Sequence, residues 1–326
     1  MTKYFDIFNG DADGICALIQ LRLVEPLDAE LITGVKRDIT LLQQVTAAAG
    51  DRITVLDISL DRNREDLQRL LTAGANVLYF DHHFAGKIPV HDNLQAMIDE
   101  SPSTCTSLLV DRYLKERYSL WAIAAAFGDN LVSVAQKRCS ELNLNAEDIQ
   151  VLRQLGELIN YNGYGSHIED LHFHPASLFR ALHHFDDPRE AYDSSPEVAI
   201  LASGYAADME HINALPPILA TDIAAVYQLP DASWARRTVG IFANNLSQTY
   251  PERAHLILCP DGQGSLTVSL RAAKTHPHGA SAFCRRYPEG GGREAAAGIN
   301  RLPEVAVTEL IADFERTFGS SPRKIE

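Results

Sequence analysis

No apolar run in this sequence reaches the roughly 20 residues that a bilayer-spanning helix needs. The opening residues, Met1 to Asp6, show no basic region followed by an apolar stretch, so no secretory signal is expected. Cysteine is scarce. The 5 residues Cys16, Cys105, Cys139, Cys259 and Cys284 are scattered singly, with no Cys-x-x-Cys pair. An odd, dispersed set argues against a disulfide framework or a structural zinc site and fits a reducing compartment, so the expected location is the cytoplasm. Positive charge is also short: 29 Lys and Arg stand against 43 Asp and Glu, for a net charge of −14. A surface that acidic repels long phosphate backbones. It argues against a dedicated binder of duplex DNA or RNA and leaves room only for a local basic groove. Internal repeats and low-complexity segments are missing as well.

What the chain does have is length and apolar content. Its 326 residues, 46% of them hydrophobic and 22% charged, can bury large cores, and the length favours two domains. In the first half, short apolar runs alternate with helix-length segments. Strands are expected at Tyr4 to Phe8, Glu30 to Thr33, Ile53 to Ile58, Asn76 to Phe80 and Leu94 to Ile98, with helices at Ile15 to Val24, Ile39 to Ala49 and Arg62 to Thr72. That alternation implies βαβ units, a parallel sheet and helices on both faces. From Thr104 the pattern is helical for about a hundred residues. After Trp234, strands are expected at Arg237 to Phe242, His255 to Leu258 and Ser265 to Leu270, with a last helix at Glu304 to Phe318. The expected organisation is an α/β chain with a parallel-sheet domain over 1–190, a helical linker over 191–230 and a smaller α/β domain over 231–326.

The informative positions are acidic and imidazole residues at the ends of predicted strands. Asp11 and Asp13 (NGDADG) follow the first strand, Asp57 closes ITVLD, and Asp81, His82 and His83 close NVLYF. In open α/β sheets, ligands bind beyond the carboxyl ends of the strands, so three strand ends deliver these groups to one edge. Strand alternation turns His83 away from His82. Carboxylates crowded in a cleft repel one another and call for a cation. A mixed set of carboxylate oxygens and imidazole nitrogens suits manganese, iron or cobalt, whereas magnesium prefers oxygens alone. Each piece is ordinary by itself, since Asp and Gly dominate turns and an Asp after a strand often caps a helix; their joint occurrence is the signal. A second candidate lies at Gly290, Gly291 and Gly292. Three glycines let a backbone approach an anion closely, and Glu294 to Ala297 is expected to open a helix whose N-terminus favours one. Arg271, Lys274, Arg285, Arg286 and Arg293 concentrate positive charge there. The histidines at 172, 174, 183 and 184 are read as packing or surface residues, and Cys105 lacks an arrangement that would activate a thiol.

NGDADG, Asp57, the Asp81–His83 triplet, Asp129 in AIAAAFGDN, and the Gly290 to Gly298 signature preceded by Ser269-Leu270-Arg271 together resemble the DHH phosphoesterase superfamily with its C-terminal DHH-associated domain. The resemblance spans nearly the whole chain. It implies hydrolysis of a phosphoester or phosphoanhydride by metal-activated water, with Asp57 and His83 as the catalytic residues. Its metal ligands would be Asp13, Asp57, His82 and Asp129, with Asp11 and a shared Asp57 serving a second ion. His83 would stand just outside the metal shell and contact substrate phosphate. Arg271, Gly290, Gly291, Gly292 and Arg293 would bind the far end of the substrate. Manganese is the expected ion, firm at one site and weaker at a second, with magnesium or cobalt as alternatives. The expected partner is a small nucleotide or short oligonucleotide, with no long duplex and no membrane; a homodimer is left open. Inorganic phosphoanhydride hydrolysis, or nucleotide binding with little turnover, are the alternatives. The chain departs from the family pattern twice: Ile7 stands where many members place a metal-ligating His, and Arg293 where the glycine signature usually has His. Ile7 weakens the case for a tightly held second ion; Arg293 keeps phosphate-binding capacity but cannot act as an acid near neutrality.

Overall fold

Parallel pairing of short apolar strands organises the first half of the chain. The computed structural model describes residues 2–319. It divides into two compact units, Met1–Tyr205 and Ala206–Glu326. Strands β1 (Tyr4–Phe8), β2 (Glu30–Ile32), β3 (Arg52–Leu56), β4 (Asn76–Asp81) and β5 (Leu94–Ile98) form one sheet in the order β2-β1-β3-β4-β5. All its pairings are parallel. Successive side chains on a strand face opposite ways, and both faces here are apolar. Phe8, Leu56 and Phe80 join one core with helix α1 (Ala12–Val24), while Ile7, Val55 and Tyr79 join the other with helix α2 (Arg64–Thr72). Ile7 is fully buried in that second core.

Helices α3 (Thr106–Tyr113), α4 (Ser119–Gly128), α5 (Val132–Glu141), α6 (Ala146–Gly163), α7 (Pro175–Leu182) and α8 (Pro188–Ser194) complete the unit, and α9 (Pro196–Asn213) runs across its boundary. Helix α1 is buried along almost its whole length, which its Ile, Leu, Ala and Cys content permits. Helices α4 and α6 approach closely at two glycines. A Cβ on Gly156 would lie 1.9 Å from the Ala124 carbonyl oxygen, and one on Gly128 would lie 2.5 Å from the Cβ of Ala12. Only small residues admit that contact, and it brings the C-terminal end of α4 against the start of α1.

The second unit holds strands β6 (Leu219–Ala220), β7 (Ala224–Gln228), β8 (Ala254–Pro260), β9 (Ser265–Arg271), β10 (Gly290–Gly292) and β11 (Ala296–Pro303) in the order β10-β11-β9-β8-β7-β6. Only β7 and β8 pair in parallel, and helix α10 (Ser233–Thr249) is their crossover. Helices α11 (Ala280–Cys284) and α12 (Val307–Phe318) cover the opposite face. No helix among the described residues is long and apolar enough to cross a membrane.

Several sequence expectations need correction. Arg237 to Phe242 is not a strand but the middle of α10, whose buried residues Ala235, Val239, Phe242, Ala243 and Leu246 recur at three and four positions. The β-rich string TVGIF misleads only when read in a short window. Within the stretch expected to be a helical linker, Leu219–Ala220 and Ala224–Gln228 are strands β6 and β7. Residues 294–297 open no helix: Ala296 begins β11, with Ala297 and Ile299 buried in alternation. The three glycines form an edge strand paired with β11, with Gly291 opposite Gly298. Ile39 to Ala49 contains only the short 3₁₀ turn Leu41–Gln44.

Candidate metal centre

The carboxyl ends of the adjacent strands β1, β3 and β4 carry the expected residues to one place. After β1 the chain turns into α1, with Asp11 as its N-cap. One carboxylate oxygen of Asp11, Oδ1, accepts from the amides of Asp13 (3.0 Å) and Gly14 (3.2 Å), satisfying donors that the first helical turn leaves open. Asp13 then projects from the first turn of α1 toward the N-terminus of α3. Its two oxygens accept from the amides of Thr106 and Ser107, each at 2.7 Å. The N-terminus of a helix favours a negative charge, so α3 both orients this carboxylate and supports it. Asp57 follows β3 in a left-handed backbone conformation (φ 59°), which is unfavourable for a residue with a Cβ and is held here by the hydrogen bond from its amide to the Phe80 carbonyl. Its Oδ1 accepts from the Thr106 hydroxyl at 3.2 Å. Asp129 caps the C-terminus of α4, placed by the glycine contact of α4 with α6.

The imidazole of His82 is the common point of these groups. Its Nε2 lies 3.3 Å from Asp57 Oδ1, 3.8 Å from Asp13 Oδ2 and 3.9 Å from Asp129 Oδ2. Asp13, His82 and Asp129 offer ligand atoms within 4.8 Å of one another, and so do Asp57, His82 and His83. His83 does not turn away from His82 as strand alternation predicts. β4 ends at Asp81, so alternation does not govern the pair, and the two imidazole centroids lie 4.5 Å apart. His83 Nδ1 is 2.7 Å from Asp81 Oδ1 and 3.8 Å from Asp57 Oδ1. Asp11 joins neither ligand group: Oδ1 caps α1 and Oδ2 is 2.6 Å from the Lys36 ammonium.

Asp81, which the sequence marks without giving it a role, and Lys36, which it does not mark, complete the centre. Fully buried Asp81 accepts from the amides of His82 and His83 and fixes the His83 ring, as carboxylates behind functional histidines do. Lys36, in the loop after β2, faces Asp11 and Asp129. With Arg37 it forms a basic pair beyond the first acidic motif, which is the only signal the sequence offers for it.

The electrostatics show a surplus of negative charge. Burial raises the Asp57 carboxyl well above the usual range, and repulsion from Asp13 and Asp11 adds to it. Burial likewise raises Asp129 to about 6; Lys36 pulls it down, but Asp13 and Asp11 push it further up. For Asp11, burial is outweighed by Lys36, and its carboxyl is lowered. Burial alone would lower His83, but the Asp81 hydrogen bond and the charge of Asp57 lift it to about 9, so it is an imidazolium near neutrality. The donor set of buried carboxylates with one imidazole nitrogen, short of positive charge, fits a divalent ion.

In the second unit, Arg271 ends β9 opposite Ala296, and its guanidinium donates to Asn244 Oδ1 (3.1 Å) and Ser269 Oγ (3.1 Å). Arg293 lies exposed in the turn between β10 and β11.

No family model matches the chain, and no curated protein matches it in sequence. Solved structures do. A manganese-bound RecJ exonuclease superposes with TM-score 0.56 at 19% identity, covering 98% of this chain and 91% of that one. RecJ of Thermus thermophilus with Mn²⁺ gives 0.61 at 21% identity, covering 97% of this chain and 52% of its own. The pGpG-specific phosphodiesterase PggH of Vibrio cholerae gives 0.56 at 14% identity, covering 97% and 98%. The fold is that of these RecJ and PggH structures. These matches run over nearly the whole chain, and the cluster at Asp57 and His82 lies at the carboxyl edge of its parallel sheet.

Proposed function

We propose that this chain is a divalent-metal-dependent phosphoesterase that hydrolyses a phosphodiester or phosphomonoester of a small nucleotide or short oligonucleotide. The observation that carries this reading is the convergence of Asp13, Asp57 and Asp129 on His82 Nε2, within 3.9 Å, at the carboxyl edge of a DHH-fold sheet. Asp13, Asp57, His82 and Asp129 would hold the ion. Manganese is the proposed metal, with magnesium or cobalt as substitutes. When bound, such an ion neutralises charge on the phosphoryl oxygens and acidifies an attacking water.

The protein's own groups do the rest. The α3 amides and the Thr106 hydroxyl keep Asp13 and Asp57 oriented toward the centre. His83, charged and held by Asp81, donates to the scissile phosphate and can pass its proton to the leaving oxygen. In the second unit, Arg271 and Arg293 with Gly290, Gly291 and Gly292 are proposed to bind the far part of the substrate. The substrate class draws support from the chemistry of two structural neighbours, an exonuclease and a pGpG-specific phosphodiesterase, and from a net charge of −14 that disfavours long polymers.

The test is release of mononucleotide from a panel of dinucleotides, with pyrophosphate alongside, in Mn²⁺ and in EDTA. Turnover in Mn²⁺ that is absent from Asp57→Ala and His82→Ala is expected. Equal turnover in EDTA, or undiminished turnover in both variants, overturns the assignment, and cleavage of pyrophosphate alone overturns the substrate class. Arg271→Ala and Arg293→Ala should raise KM with little change in kcat.

A further inference from the structure

Lys36 is held too firmly for a loop side chain. Its amide donates to the Gly163 carbonyl at 2.9 Å, and its carbonyl accepts from Asn9 Nδ2 at 3.2 Å. Its ammonium is 2.6 Å from Asp11 Oδ2, 3.5 Å from Asp129 Oδ1 and 3.1 Å from Asn160 Oδ1, and 5.7 Å from the centroid of the Tyr164 ring. These partners come from the α1 cap, the end of α4 and the last turns of α6, so three elements agree on one position for the charge. The side chain keeps 31% of its surface open, so the ammonium is not sealed away from a ligand.

Four further observations bear on how many cations the centre takes. Asp11 Oδ1 caps the α1 amides, and its Oδ2 is ion-paired with Lys36. Asp129 is divided: Oδ2 faces His82 and Oδ1 faces Lys36. The two candidate ligand groups share His82, whose single Nε2 lone pair serves one ion at a time. Ile7, buried in the core, brings no donor from β1.

We propose that the Lys36 ammonium is the built-in second cation of this centre: it balances Asp11 and offsets part of the charge of Asp129, so that the chain takes one divalent ion where two would otherwise be needed. This rests on the metal centre proposed above. It replaces the weaker second ion expected from the family resemblance by a fixed organic charge. A fixed ammonium beside the dication offsets part of the clustered carboxylate charge without a second binding equilibrium. Lys36 acts through the two aspartates and is in that sense a positioning residue.

The experiment counts manganese in the full-length protein. The chain is saturated with Mn²⁺, freed of excess, and analysed by elemental mass spectrometry and by electron paramagnetic resonance, with and without AMP. One ion per chain is expected in both states, with the signal of an isolated Mn²⁺. Lys36→Met, which frees Asp11 Oδ2 and Asp129 Oδ1, should bind a second ion and show exchange coupling between the two; Lys36→Arg, which keeps the charge, should stay at one. Two ions in the unaltered chain, in either state, overturn the role of Lys36 and leave the metal centre standing. So does a folded Lys36→Met variant that still binds one. No bound ion at all in the unaltered chain overturns the metal-centre reading itself. Should Lys36→Met fail to fold, the count and signal of the unaltered chain decide the matter alone.

Discussion

Two buried acidic sites lie on opposite flanks of helix α1, and their charge is managed in opposite ways. Asp6 on β1 is paired with Arg22 near the far end of α1: Nε donates to Asp6 Oδ2 at 2.8 Å, and the same guanidinium reaches the Thr54 hydroxyl at 3.0 Å. Asp208 and Arg237 in the second unit repeat the arrangement, with Nε to Oδ2 at 2.8 Å. Each of these carboxylates has a fork of its own. At the other end of α1, Asp11, Asp13, Asp57 and Asp129 crowd around the Lys36 ammonium and the imidazoles of His82 and His83. Asp57 is raised well above its ordinary range there, by burial first and by its acidic neighbours second. A structural acid balances its charge within the chain; this centre leaves a deficit, and a deficit kept in a folded protein calls for something from outside. Buried charge without a partner costs several kcal/mol, so its persistence at the strand-end edge points to function.

Substitution should separate the two regions most sharply. Asp57→Ala is expected to lower kcat/KM on the order of 10³-fold or more, since metal placement supplies several kcal/mol of transition-state stabilisation. The metal-free Asp57→Asn chain should melt no lower than the unaltered one, because the substitution removes a repelled carboxylate. Asp6→Asn should do the reverse: it leaves Arg22 uncompensated in the core and costs about 3–5 kcal/mol of folding stability, read by urea unfolding. If both variants destabilise alike, the contrast between a balanced and an unbalanced acid is lost.

The same contrast explains what can be read from the sequence. Asp11, Asp13, Asp57 and the Asp81–His83 run announce themselves because a short apolar strand in a βαβ pattern forces its last residues to the carboxyl edge, whatever the rest of the chain does. The helix-cap function of Asp11 is equally local. Lys36 is not legible in that way. It sits in a loop without periodicity, and its meaning depends on Gly163, Asn160 and Asp129, which only tertiary packing brings to it. His83 escapes the alternation rule because that rule stops with its strand, two residues earlier. The second unit is less legible than the first for a similar reason: α10 hides a helical period behind β-branched residues, and β10 is an edge strand of three glycines that carries no apolar pattern at all.

A smaller effect separates the two histidines. His83 owes its elevated pKa, about 9, to Asp81 once the opposing effect of burial is overcome. If its proton serves the leaving oxygen, the pH profile of kcat/KM should fall on the alkaline side near pH 9. Asp81→Asn should move that limb down toward the ordinary imidazole range and cost about 10–100-fold in activity, as loss of a carboxylate behind a functional histidine does. An alkaline limb that stays in place in Asp81→Asn removes His83 from the acid role while leaving the proposed metal ligands untouched.

The smallest expected effect is on stability, and its sign is the test. The folded pKa of Asp129 is about 6 against 3.8 for a free carboxyl, and Asp57 is raised in the same direction. Between these values the folded chain keeps a proton that the unfolded chain has released, so folding binds protons and the metal-free protein must lose stability as pH rises through that window. His83 works the same way higher up, where the stability it contributes below its ordinary pKa is lost as pH passes about 9. Asp11, whose pKa is lowered, changes its contribution only below the ordinary carboxyl range and does not oppose the trend. Mn²⁺ competes with those same protons, so the gain in Tm on adding it should grow from about pH 5 to pH 7. At about 2–4 °C per kcal/mol for a domain of this size, the difference is small but measurable. Asp129→Asn should flatten the metal-free decline. Parallel slopes in that variant and the unaltered chain would mean that the surplus charge at this edge is balanced by something other than protons and metal, and the contrast with Asp6 would fail at its root.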